Sequence, residues 1–258
     1  MHDGSQPPLV SDANRFRLLP AGARERRATR NKAYVNEVTA KLFPGDTKLE
    51  RFVRALGARR AVRFKEVLEA IEFFAVARRR LKADTVIDVC AGHGLVGILF
   101  GLVQPRVERV VLVEPKPPGN RTKVLDAALE VAPWLEGRIE CVDEKLDRAR
   151  RDLIERHAGA ALVAVHACGV LTDHAIELGL ELGGPMAFLP CCRPHARSPA
   201  PFGLAQALGA DTAFDIDRTY RLEAGGHTTR WSSIPAAITP MNRVILSWPR
   251  KSSGQEST

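Results

Sequence analysis

The spacing of apolar residues changes once along the chain, near residue 82, and the change separates two kinds of structure. Before it, apolar positions recur every three or four residues: Tyr34, Val38 and Leu42, then Leu49, Phe52, Val53 and Leu56, then Phe64, Val67, Leu68, Ile71, Phe74 and Ala75. That period predicts three helices, broken at Pro44-Gly45 and near Gly57. Beyond Lys82 come short β-branched runs, TVIDVC (85–90), RVVLVE (109–114), RIECV (138–142), ALVAVH (161–166) and MAFLP (186–190), separated by helical stretches at 95–103, 121–131, 146–157 and 174–182. Nearly continuous apolar strands alternating with helices predict a parallel sheet covered on both faces, a doubly wound α/β fold. Residues 214–222 (FDIDRTYRL) alternate like a strand, but the connection from the fifth strand needs a crossover. A helix within 202–224 is therefore expected, stopped at Gly225-Gly226 and followed by a closing hairpin of HTTRWSSI and RVILSW.

This pattern implies a polar tail over 1–14, a basic helical region over 15–82, a strand-and-helix domain over 83–250 and a second polar tail over 251–258. The chain has 258 residues, 45% of them hydrophobic and 26% charged, enough for a substantial core and unlike a disordered or disulfide-stapled chain. No apolar run nears the roughly 18 residues that span a bilayer, and the first residues lack a secretory pattern, so a cytoplasmic protein without membrane contact is expected. The five cysteines, Cys90, Cys141, Cys168, Cys191 and Cys192, are odd in number and irregular in spacing. Reduced thiols are the expectation.

Charge sharpens the picture. The formal charge is +8, yet residues 15–63 alone hold 14 Lys and Arg against 4 Asp and Glu. Such a segment can attract a polyanion, RNA included, or can simply be a set of solvated helix faces. Aromatic residues are not interleaved with these charges, so base stacking has no support here.

The strand ends carry the candidate chemistry. The first strand runs into Asp88-Val-Cys90-Ala-Gly92-His93-Gly94, with Gly97 three residues on, which reads as a turn where glycines let backbone approach a ligand at a helix N-terminus. A pyrophosphate site would place G-x-G-x-x-G directly after the strand. Here Asp88 and Cys90 stand first, and an acidic residue at that place suits an ammonium group, which favours S-adenosylmethionine. Glu114 ends the second strand, where a carboxylate can accept both ribose hydroxyls, and Asp143 follows the third at the height of an adenine amino group.

The fourth strand leads into His166-Ala-Cys168-Gly-Val-Leu-Thr-Asp173 and the fifth into Pro-Cys191-Cys192-Arg-Pro-His195, both expected to face the methyl group. Asp173 also reads as an N-cap for the next helix, and buried cysteines are commonplace. His166, Cys168, Cys191, Cys192 and His195 are possible zinc ligands, but adjacent cysteines seldom share one ion and no C-x-x-C is present, so no metal is expected. A thiolate would be needed only for methylation at a pyrimidine carbon. A hydroxyl target would need a base, for which His166 or Asp173 could serve.

Taken together, DVCAGHGLVGI, HACGVLTD, PCC and ITPMNR resemble class I S-adenosylmethionine-dependent methyltransferases over roughly residues 60–248. The likeness is to the methyltransferase domain of the glutathione S-transferase C-terminal-domain-containing protein and, more distantly, to the tRNA acceptor-stem 2′-O-methyltransferase and the methyltransferase-like 25 proteins. It implies a seven-stranded, mostly parallel Rossmann-like sheet with Asp88, Gly92, Gly94 and Glu114 in the cofactor positions and a substrate near His166, Cys168, Asp173, Cys191 and Cys192; Cys90, Asp143 and His166 join the expected cofactor site by their places at the strand ends. Cys90 departs from the family pattern, standing where a first glycine is usual. The expected activity is methylation of tRNA or rRNA. Methylation of a protein side chain or small molecule, and an inactive cofactor-binding module, are the alternatives.

Overall fold

The computed structural model describes residues 15–190 and 200–250. The lead contains three single-turn helices, α1 (Ala21–Arg24), α2 (Arg26–Thr29) and α3 (Glu37–Ala40), and two longer ones, α4 (Lys48–Arg59) and α5 (Phe64–Ala77). The alternating body follows as β1 (Thr85–Val89), α6 (Leu95–Val103), β2 (Arg109–Val113), α7 (Arg121–Val131), β3 (Ile139–Val142), α8 (Leu146–Arg156), β4 (Ala161–Val165), α9 (Leu171–Leu182) and β5 (Met186–Leu189). It closes with α10 (Phe202–Leu208), α11 (Ala210–Ala224) and the hairpin of β6 (His227–Ser233) and β7 (Arg243–Pro249). Residues 214–222 are thus helical, as the crossover argument requires. Among the described residues no helix is long and apolar enough to cross a membrane.

The seven strands form one sheet in the order β3-β2-β1-β4-β5-β7-β6, parallel from β3 to β5, with β7 antiparallel to both its neighbours. Alternate residues of each strand serve different faces. Val86, Val110, Leu112, Ala161 and Val163 pack into one buried cluster, while Ile87, Val89, Val111, Val113, Leu162 and Ala164 pack into another with α8 and α9. Strand order reverses between β1 and β4, which opens a crevice at their carboxyl ends.

The lead is part of the first cluster: Leu19, Phe43, Phe52, Val53, Phe64 and Phe73 share it with the strands. Its local structure corrects the periodicity in two places. Tyr34 is extended and bridges to Arg63, and helix α3 begins only after Asn36, whose side chain accepts the N–H groups of Val38 and Thr39. Gly57 lies inside α4, which ends instead at Arg60 with φ +47°. Several lead arginines also serve the fold rather than a free basic face. Arg51 donates to the Val131 carbonyl, Arg54 to those of Phe43 and Gly45, Arg63 to that of Lys32, and Arg59 pairs with Glu130.

Helix α5 is apolar on nearly every side, which is the pattern of a buried helix. Glu69 is 3% exposed and Glu72 is fully buried. The Glu72 carboxylate accepts backbone N–H bonds from Arg17 (2.9 and 3.0 Å), Leu18 (3.0 Å) and Leu19 (3.1 Å), fastening the start of the lead to α5. Glu72→Gln puts an amide donor against those N–H groups. It should destabilise the protein by about 2–3 kcal/mol, at the upper end for a bond to a charged group, and expose the segment before α3 to protease. Equal denaturation midpoints and digestion patterns would contradict this anchoring.

Candidate active site

The turn after β1 is built by its backbone. Cys90 and Gly92 take left-handed conformations, φ +57° and +52°, and Gly94 follows at +81° as the N-cap of α6. A Cβ at Gly94 would lie 2.6 Å from Leu112 Cδ1, so no larger residue fits there without a shift. Asp88 is 2% exposed and its Oδ2 accepts the Gly97 N–H at 2.9 Å, joining the strand end to the start of α6. Arg121 braces the turn from below, with Nε 3.1 Å from the Gly92 carbonyl and Nη1 2.8 Å from Asp143 Oδ1. Across the turn, Glu114 accepts the N–H groups of Gly92 (3.3 Å) and Lys116 (3.2 Å).

Between this turn and α5 lies a cavity of about 160 Å³. Asp88, Cys90, Gly92 and His93 line one side, Glu66 and Glu69 the other, and His166 closes it from the end of β4. His166 has φ +58°, a second left-handed residue beside Cys90 on the neighbouring strand. Its Nε2 is 3.1 Å from Glu69 Oε2, while Lys65 Nζ is 3.0 Å from Glu69 Oε1. His93 Nδ1 faces Glu66 Oε2 at 3.4 Å.

Burial sets the protonation of the walls. It pushes the Asp88 carboxyl up to about 7, a rise that the Gly97 hydrogen bond and Arg121 only partly oppose. It pushes the Cys90 thiol up to about 12, helped by Glu114 and Asp88. Cys90 is therefore a protonated thiol at neutral pH and not a nucleophile. Burial also acts to raise Glu69, but His166 and Lys65 outweigh it and hold that carboxyl below its ordinary value, so it is ionised.

Of the cofactor residues expected from sequence, Asp88, Cys90, Gly92 and His166 line the cavity, Gly94 shapes the turn, Glu114 bonds to it and Asp143 is joined to it through Arg121. The reacting set is brought together only in part. Cys168 is exposed, with Sγ donating to the His166 carbonyl, and is not among the cavity walls. Helix α9 starts three residues earlier than expected, with Val170 as N-cap, so Asp173 sits inside its first turn and does not cap it. Its carboxylate is drawn instead to Arg218 Nε (3.2 Å) and Arg221 Nη1 (2.9 Å) of α11, an ion-pair cluster that turns it toward α11. Cys191, Cys192 and His195 lie outside the described residues. Sequence reasoning missed Lys65, Glu66, Glu69, His93 and Arg121. The signal for Glu69 was present: a carboxylate on a helix that is apolar all round needs a buried partner.

Residues 62–198, just over half of the chain, match the model of a family described as a methyltransferase domain. No curated protein matches, so the particular relatives suggested by the motifs gain no support. Among solved structures, cofactor-bound Rv0187 from MTB is 15% identical, covering 71% of this chain and 79% of that one with a TM-score of 0.45. Aeropyrum pernix fibrillarin in complex with natively bound S-adenosyl-L-methionine is 13% identical, covering 70% and 74% with a TM-score of 0.45. The antibiotic-resistance methyltransferase Kmr is 18% identical, covering 67% and 90% with a TM-score of 0.42. The family match, not these likenesses, carries the assignment.

Asp88 makes a pH prediction with a definite sign. Because its folded value, about 7, lies above the ordinary carboxyl value of 3.8, the group favours folding fully below about pH 3.8 and loses that contribution as pH rises through about 7. Asp88→Asn keeps an acceptor for Gly97 without a charge. The variant should gain on the wild type between pH 4 and 8, by at most about 4 kcal/mol for a shift near three units. Denaturation midpoints that move in parallel over that range would contradict the burial of an ionisable Asp88.

Proposed function

The chain belongs to the methyltransferase domain family, and on that premise we propose that it transfers a methyl group from S-adenosylmethionine to RNA. The observation that carries this reading is the meeting of the glycine turn with the pair of buried Glu69 and half-buried His166 across one cavity. The cavity suits a cationic amino-acid moiety: Glu66, Glu69 and Asp88 line it and, among the described residues, no Lys or Arg does. Where a Cβ of Gly92 would stand there is open space, so the backbone can lie close to a ligand. Glu114, beyond the turn, would accept ribose hydroxyls with the lone pairs its two backbone bonds leave over.

S-adenosylmethionine supplies, when bound, a methyl carbon made electrophilic by its sulfonium. The chain's own part is to hold the acceptor and take its proton. An ionised Glu69 can only accept a hydrogen bond, so it favours the His166 tautomer with the proton on Nε2. Nδ1 is then left as an acceptor for the proton of an attacking hydroxyl, with Glu69 stabilising the imidazolium that forms. This supports oxygen methylation, and among the described cysteines Cys90 is a protonated thiol and Cys168 lies off the cavity wall. The net charge of +8 supports RNA over an uncharged acceptor.

Labelled S-adenosylmethionine incubated with separate RNA, protein and metabolite pools tests the reading. Label should enter RNA. His166→Asn, which tolerates left-handed backbone, should retain cofactor affinity and lose roughly 10²–10⁴ in rate. Glu114→Ala should weaken cofactor binding by up to about 1.5–3 kcal/mol per lost bond. Label entering only protein or metabolites would overturn the RNA assignment, and no transfer to any pool together with no cofactor binding would overturn the whole.

A further inference from the structure

At the other end of α5 the chain forms a second and larger cavity, of about 550 Å³, whose walls are dominated by arginine. Arg78, Arg79 and Arg80 follow the helix, Arg15 and Arg17 come from the start of the lead, and Arg230 projects from β6. Among the described residues no carboxylate lines this cavity. Neutralising the carboxyl end of a helix accounts for about half a unit of charge. Six arginines from three separate segments far exceed that need and make the cavity strongly attractive to an anion.

Several of the groups are held in place before any ligand arrives. Arg80 lies over the Trp248 ring at 4.3 Å and Arg78 over Phe74 at 5.7 Å. Arg17 Nη1 donates to the Ser233 carbonyl at 2.9 Å, and the backbone of the same residue is fastened by Glu72. Guanidinium groups ordered in this way suit phosphate oxygens, which accept two parallel N–H bonds.

We propose that the arginine cavity holds backbone phosphates of the RNA outside the nucleotide being methylated, an inference that rests on the RNA reading above. The two cavities are joined by one helix. Ala70 borders the first and Ala75 the second, about 7.5 Å apart along the helix axis at 1.5 Å per residue and about 140° apart around it at 3.6 residues per turn. A strand with its target base or ribose in the first cavity therefore passes around the helix and brings a more distant phosphate to the second. The arginines thereby contribute affinity and register, while the first cavity supplies the chemistry.

The test uses the full chain and a fluorescein-labelled single-stranded RNA. Arg79 and Arg230 are both exposed, so the double variant Arg79→Ala, Arg230→Ala should fold, and unchanged S-adenosylmethionine affinity checks that it does. At low salt its RNA affinity should fall at least about fivefold. The slope of log K against log salt should become shallower by about 1.4, two contacts at about 0.7 each. Equal affinity and slope in the two proteins overturns the proposal while leaving methyl transfer to RNA, read by incorporation of label, untouched. Arginine-dependent RNA binding by a protein that methylates no RNA keeps the cavity and overturns the substrate reading. Wild-type protein that binds tripolyphosphate but not RNA overturns the proposal in favour of a small phosphorylated ligand.

Discussion

Glu69 and Glu72 lie one turn apart on a helix that is otherwise apolar on almost every side; Glu72 is answered by three backbone N–H groups, and Glu69 by a hydrogen bond with His166 at Oε2 and the Lys65 ammonium charge beside Oε1. An unpaired carboxylate at either place would be expelled or protonated. Glu72 takes the backbone N–H groups of residues 17–19 and so fixes the lead against the sheet. Glu69 takes His166 and Lys65 and so fixes the end of β4 against the lead. Helix α5 is thus the common wall of both cavities. A displacement of it would alter the acidic cavity, the arginine cavity and the entry of the chain together.

Backbone strain concentrates at the same place. Cys90 and His166 are left-handed at the carboxyl ends of adjacent strands, a conformation costing on the order of 1–3 kcal/mol for a residue with a Cβ. At Cys90 the position favours glycine, and the small cysteine side chain there faces the cavity as an inert, protonated thiol. At His166 the same strain turns the imidazole toward α5 and its carboxylate.

Much of the fold was legible because burial on both faces leaves uninterrupted β-branched runs, as in TVIDV and RVVLV, that no exposed segment would carry. The glycine turn was legible for a related reason, since its residues are dictated locally. Partners contributed from elsewhere in the chain were not. Glu69 meets His166, Glu72 meets the N–H groups of residues 17–19 and Arg121 meets the Gly92 carbonyl, pairings between residues at least 29 apart in sequence. Asp173 failed for the converse reason: the arginines that engage it lie more than forty residues on, in α11. The basic lead was legible as charge, but Arg51, Arg54 and Arg63 close carbonyls within the protein.

The account depends most on Glu69 setting the proton of His166, and nitrogen NMR of the imidazole in the full-length protein tests that directly. At a pH where the ring is neutral, His166 should carry its proton on Nε2 and leave Nδ1 bare, and Glu69→Gln should release that preference into a mixture of tautomers. A wild-type ring protonated on Nδ1, or one already exchanging between tautomers like free imidazole, would contradict the assignment of His166 as the proton acceptor.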